Sequence, residues 1–127
     1  MFDGGQFELA APICKAEAEQ GDVFSQFVLG YMYEYGLGVS QNSKEAVKWY
    51  GESARQGDIS SQFVMGYLYE NGKVITRDYV QAYMWFNLAA INGDKDAMKN
   101  RDALSRNMTP SQIEEAERLS HEWTSGG

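Results

Sequence analysis

The chain has 127 residues, a hydrophobic share of 43% and a formal net charge of −7 at pH 7. This length allows one core or one short solenoid, and the acidic balance without a basic run argues against nucleic acid, because neutralising phosphates needs clustered lysine and arginine. No apolar stretch approaches the ~20 residues that cross a bilayer, so we expect no membrane insertion.

The spacing of apolar residues predicts an all-α protein whose helices are joined by short loops. The predicted helices lie at 5–20, 23–35, 42–56, 59–71, 77–92, 94–107 and 110–124. Asn42 and Asp78 stand near two of the predicted starts, where their side chains can cap free amides. The last helix has the clearest start, with Thr109 as the cap and Gln112 three residues on.

The first predicted helix, 5–20, contains Pro12, which removes one helical hydrogen bond. It also contains the only cysteine, Cys14, which excludes an intrachain disulfide and which we interpret as a buried structural thiol. The segment lacks the basic start and apolar run of a signal peptide. The compartment is left open between the cytoplasm and, if a signal peptide has been removed, the periplasm or the exterior.

The next two stretches, 21–56 and 57–92, are copies of one unit. The residues that recur without a gap are Gly21, Phe27, Gly30, Tyr31, Tyr33, Glu34, Gly36, Ala46, Trp49 and Ala54, which return as Gly57, Phe63, Gly66, Tyr67, Tyr69, Glu70, Gly72, Ala82, Trp85 and Ala90. Self-similarity at this period is typical of repeat proteins, in which each unit buries its apolar face against its neighbours. It favours a binding surface over a single catalytic pocket.

Glycine occupies the same helix-interior position in both copies, at Gly30 and Gly66. Each costs ~1 kcal/mol relative to alanine in a helix. The repetition predicts that the paired helix approaches too closely for a side chain. Glycines that follow the first helix of each copy, Gly36, Gly38 and Gly72, predict left-handed helix ends.

Both ends of the chain keep part of the repeated pattern. Ala10 and Cys14 stand two periods before Ala82 and Phe86, so 5–20 is interpreted as the second helix of an incomplete preceding repeat. Residues 93–127 keep the opening Gly-Asp and lose most other signals. We interpret them as C-terminal capping helices, since terminal repeats are atypical.

The unit G-D-x-x-[small]-Q-x-x-[LM]-G-x-x-Y-x-x-G, followed by A-x-x-W-[YF]-x-x-x-A-x-x-G, resembles the SEL-1-like repeat, a relative of the tetratricopeptide repeat. The tail that follows resembles the closing unit common in bacterial members of this family. The resemblance implies a single domain over 1–127, an α/α superhelix (solenoid) of antiparallel helix pairs. About two full repeats would be joined by the half-repeat and the cap. It also implies a non-catalytic adaptor that needs no cofactor and holds a protein or peptide partner on a concave face.

Helical spacing indicates which residues line that face when Leu29, Gly30 and Tyr33 face the paired helix. The predicted partner-binding residues are Phe24, Phe27, Tyr31, Glu34, Tyr35, Phe63, Tyr67, Glu70, Asn71, Lys99 and Arg106. They predict an aromatic floor, solvated carboxylates along one edge and a basic end. For Phe27 and Phe63, packing between adjacent repeats is the alternative.

The sequence leaves two other function classes to consider. A hydrolytic enzyme is disfavoured because the only histidine, His121, has no companion for a metal site, and because Glu34 and Glu70 stand a whole repeat apart. An oligomerising module is the second alternative, since an open N-terminal face around Phe2, Phe7, Ile13 and Cys14 can pair with another copy to form a homodimer.

Overall fold

The computed structural model describes residues 4–124, and the regular secondary structure of this part of the chain is helical. Seven helices follow one another there: α1 (Gly4–Glu19), α2 (Val23–Tyr35), α3 (Ser43–Arg55), α4 (Ile59–Asn71), α5 (Tyr79–Ile91), α6 (Lys95–Ser105) and α7 (Pro110–Thr124). No strand occurs in the described residues. The predicted all-α fold class is confirmed, and every predicted helix boundary lies within two residues of the observed one.

Capping side chains explain where the helices begin. Asn42 and Asp78 have extended backbones and accept hydrogen bonds from the backbone N–H three residues on, at 3.2 and 3.1 Å. Because a cap residue lies outside the helix, α3 and α5 start one residue later than their caps. At α7, Thr109 and Gln112 exchange two hydrogen bonds in the predicted capping box.

The repeated Gly-Asp pair forms the turn that precedes α2, α4 and α6. Its glycines have left-handed φ values of 98°, 101° and 100°, at Gly21, Gly57 and Gly93 respectively. The aspartate that follows each glycine accepts a hydrogen bond from the backbone N–H three residues on. The pair therefore reverses the chain and caps the next helix in two residues.

The chain divides into two compact units, and the first comprises Met1–Ser61. Within it, α2 packs against α1 and against α3. A Cβ atom added to Gly30 would lie 2.8 Å from Cδ1 of the buried Tyr50, so the predicted close approach of the paired helix is confirmed. Leu29 and Tyr33 are buried on the same side of α2.

Polar contacts fix α1 against α2. The Cys14 thiol donates to the Ser25 carbonyl at 3.3 Å, and the Ser25 hydroxyl donates to Glu17 at 2.9 Å. The Gln26 amide donates to the Ala18 carbonyl at 3.1 Å. Burial, reinforced by nearby carboxylates, raises the pKa of the Cys14 thiol, as expected for a structural cysteine.

The second unit comprises Gln62–Gly127, and in it α5 packs against both α6 and α7. A Cβ atom added to Gly66 would lie 2.7 Å from Cδ1 of Phe86, which repeats the close approach of the first unit. The Trp85 and Trp123 rings pack edge to face, with centroids 5.5 Å apart. The closing helices thus cover the apolar α5, although their sequence lost most of the repeat pattern.

Candidate functional site

An apolar groove lies between α1 and α2 in the first unit. Its volume is about 770 Å³, within the range of sites that bind ligands. α2 contributes Phe24, Phe27, Val28 and Tyr31 to its lining. Three of the residues predicted for a partner-binding face therefore share one groove, and its use for binding stays a prediction.

The other wall of the groove comes from α1. Phe7 and Ala10 line it, and an adjoining cavity of about 250 Å³ continues the groove along Ile13 and Cys14. Phe7, Ile13 and Cys14 were predicted from the sequence to form an open N-terminal edge, without a place beside Phe24. Phe2, assigned to the same edge, lies outside the described residues.

Aromatic side chains beside the groove are open to solvent. Phe24 is 72% exposed, Tyr31 44% and Tyr35 59%. The Tyr31 and Tyr35 rings lie against each other with centroids 4.8 Å apart. Exposure of three large aromatic side chains on one helix leaves apolar area that a partner could cover.

The phenylalanines Phe27 and Phe63 are half-buried and pack on the ring of the following helix. Their ring centroids lie 5.7 Å from Tyr50 and 5.5 Å from Phe86. Each ring therefore supports its helix pair, while Phe27 also presents an edge to the groove. A packing role and a surface role coexist at this position.

Glu34 is not the solvated groove-edge carboxylate predicted from the sequence. The Tyr50 hydroxyl donates a hydrogen bond of 2.6 Å to its Oε1, and the carboxylate is half-buried. Burial and this hydrogen bond raise the pKa of Tyr50. The bond links the second helix of the repeat to the last turn of the first, so Glu34 has a structural role.

Glu70 stands at the equivalent position in the second repeat and lacks that partner. Phe86 replaces Tyr50 there, and no hydrogen bond to the Glu70 carboxylate occurs among the residues that the structure describes. Burial raises the pKa of Glu70. The equivalent carboxylates therefore differ: Glu34 is stabilised by a hydrogen bond, whereas Glu70 carries an uncompensated desolvation cost.

This difference predicts opposite responses to the same substitution. A raised pKa in the folded state means that the ionised form of Glu70 lowers stability, increasingly as pH rises from the unfolded to the folded pKa. Glu70→Gln should therefore raise the melting temperature at pH 7. Glu34→Gln should lower it, because a charge-assisted hydrogen bond is replaced by a weaker neutral one. Thermal unfolding at pH 4 and pH 7 measures both effects.

A third variant, Phe86→Tyr, serves as the control for this interpretation. It should add the missing hydroxyl and stabilise the second unit at pH 7, and the gain should shrink when Glu70→Gln is also present. Equal shifts in the two glutamine variants would contradict the assignment of different roles to Glu34 and Glu70.

The predicted site residues of the second unit lie on α4 and α6. Tyr67 is 49% exposed, and Lys99 and Arg106 are exposed on α6 or just after it. Glu70 is half-buried, and Asn71 accepts a hydrogen bond from the Lys73 backbone N–H at 2.9 Å, which fixes the loop after α4. A binding role for these residues stays a prediction.

Metal binding and membrane spanning are two further properties to consider for the part of the chain that the structure describes. No group of three or more histidine, cysteine, aspartate or glutamate side chains within residues 4–124 could hold a metal ion. Across the same residues, no helix is long and apolar enough to span a bilayer.

Comparisons with known proteins agree with this architecture. The Sel1 repeat profile matches residues 23–58 and 59–94. A protective antigen with an SLR fold, present in uropathogenic Escherichia coli strains, is 31% identical with a TM-score of 0.87, and the match covers 93% of this chain and 26% of that one. A Sel1 repeat protein from Oxalobacter formigenes is 39% identical with a TM-score of 0.71, over 74% of this chain and 39% of that one.

No curated protein matches the chain. The chain spans less than half the length of either solved structure. Sel1 repeats are generally protein–protein interaction modules and generally act as non-catalytic scaffolds. Because the two profile matches together span more than half of the residues, and the solved structures share its helical repeat fold, the chain belongs to the Sel1 repeat family.

Proposed function

We propose that this protein is a non-catalytic adaptor that binds a protein or peptide segment on the aromatic face of its repeats. The observation that carries the proposal is the open apolar groove of the first unit, beside which Phe24 remains 72% exposed. Exposed aromatic side chains in a concave apolar site are typical anchors of protein interfaces. The general role of Sel1 repeats as interaction modules supports the same conclusion.

For the second unit, taken by itself, we propose as binding residues the equivalent residues of its repeat and of the closing helices. Tyr67 repeats Tyr31, and Lys99 and Arg106 supply exposed positive charge. Aromatic residues would take apolar side chains of the partner, while basic residues would pair with its carboxylates. The first unit and the second unit are each testable by substitution.

Selection of peptides on the folded protein tests the proposal. A displayed library of random peptides about as long as α1 is bound to the parent and then measured against Phe24→Asp. Ile91→Asp is the matched control, since Ile91 is a comparably exposed apolar residue on α5. Enriched peptides should bind the control as well as the parent and lose binding to Phe24→Asp. Peptides that bind Phe24→Asp unchanged would place the binding surface elsewhere.

Pairing with a second copy is the competing function, and one observation favours it. Leu9 and Ile13 lie four residues apart on α1 and are 80% and 64% exposed. Two adjacent apolar side chains on an open helix face can pair with another copy. Sedimentation of the parent and of Ile13→Arg over a range of concentrations decides whether a dimer forms through this edge.

A further inference from the structure

The α1–α2 groove lies against a face of α1 whose equivalent face on α3 is covered by a helix, α2. On α3, the face that carries Ala46, Trp49 and Tyr50 is buried, and α2 packs on it where Gly30 meets the Tyr50 ring. The equivalent α1 residues, one period earlier, are Ala10, Ile13 and Cys14.

Two of the three residues on that α1 face, Ala10 and Ile13, are open, whereas Cys14 is buried. Ile13 is 64% exposed where Trp49 is 6% exposed, and Ala10 is exposed where Ala46 is 3% exposed. The groove is thus bounded by α1 on one side and by Phe24 and Val28 of α2 on the other, which leaves a position for one further helix.

The side chains of the groove indicate what that helix must offer. Cys14 is much smaller than Tyr50. A helix packed on α1 would therefore have room for an apolar side chain at the position where α2, which packs on α3, has Gly30. The partner helix should therefore carry large apolar residues on one face. This requirement describes an amphipathic helix bound in a groove.

The charge of α1 and α2 indicates which residues the partner helix should carry on its other faces. Along α1, α2 and the turn between them there are five carboxylates, and Lys15 is the single basic residue. The carboxylates are Glu8, Glu17, Glu19, Asp22 and Glu34. This balance attracts cations and opposes pairing with a second copy of the same acidic edge.

We propose that the α1–α2 groove binds a cationic amphipathic helix, which takes the place on α1 that α2 takes on α3. The inference rests on the proposed adaptor function and specifies the partner class for the first unit. Apolar residues of the bound helix fill the space beside Ile13 and Phe24, and its lysine or arginine residues pair with carboxylates of α1 and α2, of which Glu17 lines the groove.

Two synthetic helices provide the probe. Both are as long as α1, about 24 Å, and carry the same leucine positions on one face, but one has lysine and the other glutamate on the remaining faces. The readout is methyl NMR of isoleucine-labelled protein. Ile13 is the only one of the five isoleucines in the groove lining, and the others are Ile59, Ile75, Ile91 and Ile113.

We expect the lysine helix to shift the Ile13 methyl signal and to leave the Ile91 signal in place, with a Kd at least about tenfold lower than that of the glutamate helix. Ile13→Arg should abolish binding, whereas the matched control Ile91→Arg should bind like the parent. Both residues are exposed on helix surfaces, so neither substitution should unfold the protein.

Four results would overturn the inference. Equal shifts at Ile13 and Ile91 would mean a general attraction to an acidic protein. Stronger binding of the glutamate helix at Ile13 would leave the groove a binding site but make the partner class wrong, so the adaptor function would stand. A shift of Ile13 with protein concentration alone, accompanied by a doubled mass, would make a second copy the occupant. If neither helix nor any selected peptide perturbs Ile13, the adaptor function of the first unit fails as well.

Discussion

Replacement of Gly30 or Gly66 by leucine is expected to lower the free energy of unfolding by ~1–3 kcal/mol, because it overpacks a helix contact. Added Cβ atoms would lie 2.8 Å from the Tyr50 ring and 2.7 Å from the Phe86 ring, closer than carbon atoms approach without displacement. The two rings are buried in a closely packed interior, so they have little room to move aside. Urea denaturation gives the change directly.

The matched control for these substitutions is Gly51→Ala. Gly51 is also in a helix, but a Cβ atom there would meet only the end of the Arg55 side chain, at 3.5 Å, and the second repeat carries Asn87 at this position. Because alanine is the better helix former, this variant should gain about 0.5–1 kcal/mol. Gly30→Ala and Gly66→Ala should instead lose stability. An unchanged denaturation midpoint for Gly30→Leu would disprove the close approach.

The second large effect is expected on binding. Replacing Tyr31 and Tyr67 together by alanine should weaken the binding of a selected peptide by more than ~2 kcal/mol if these rings are hot spots. Both side chains are nearly half exposed, so the fold should be retained. Isothermal titration of the two single variants and of the double variant measures the share of each repeat.

Ile91→Ala is the control for the tyrosine variants, since it removes an exposed apolar side chain outside the proposed face. Circular dichroism of all variants verifies that helix content is unchanged. Parent-like affinity of the double variant would remove Tyr31 and Tyr67 from the binding surface and favour the N-terminal edge.

Local rules predicted the helices of this chain well. Cap residues such as Asp78 and Thr109 act within three residues of themselves, and the glycines of the repeat mark helix ends and close contacts that a single copy of the unit already defines. Duplication strengthened these signals, because each was read twice at the same spacing. The repeat assignment followed from the same residues.

The candidate site was harder to predict because it depends on contacts between helices. The hydrogen bond from Tyr50 to Glu34 joins residues 16 positions apart. The sequence of α2 around Glu34 closely resembles that of α4 around Glu70, so it does not show that the two carboxylates differ. The signal was the difference between Tyr50 and Phe86, the equivalent residues of the following helices, because it replaces a hydrogen-bond donor by a hydrocarbon ring. Likewise, the α1 wall of the groove follows from the half-repeat only once Ala10 and Ile13 are compared with their buried equivalents.

Site-specific photo-crosslinking in the source cell tests the central claim, that the aromatic face of the repeats binds a protein partner, most directly. A photoreactive phenylalanine analogue is introduced in place of Phe24, Tyr31 or Tyr67, and in place of Ile91 as the control. We predict that one and the same protein crosslinks from Phe24 and Tyr31, and none from Ile91. Crosslinks from Ile91 with none from Phe24, Tyr31 or Tyr67 would contradict the account.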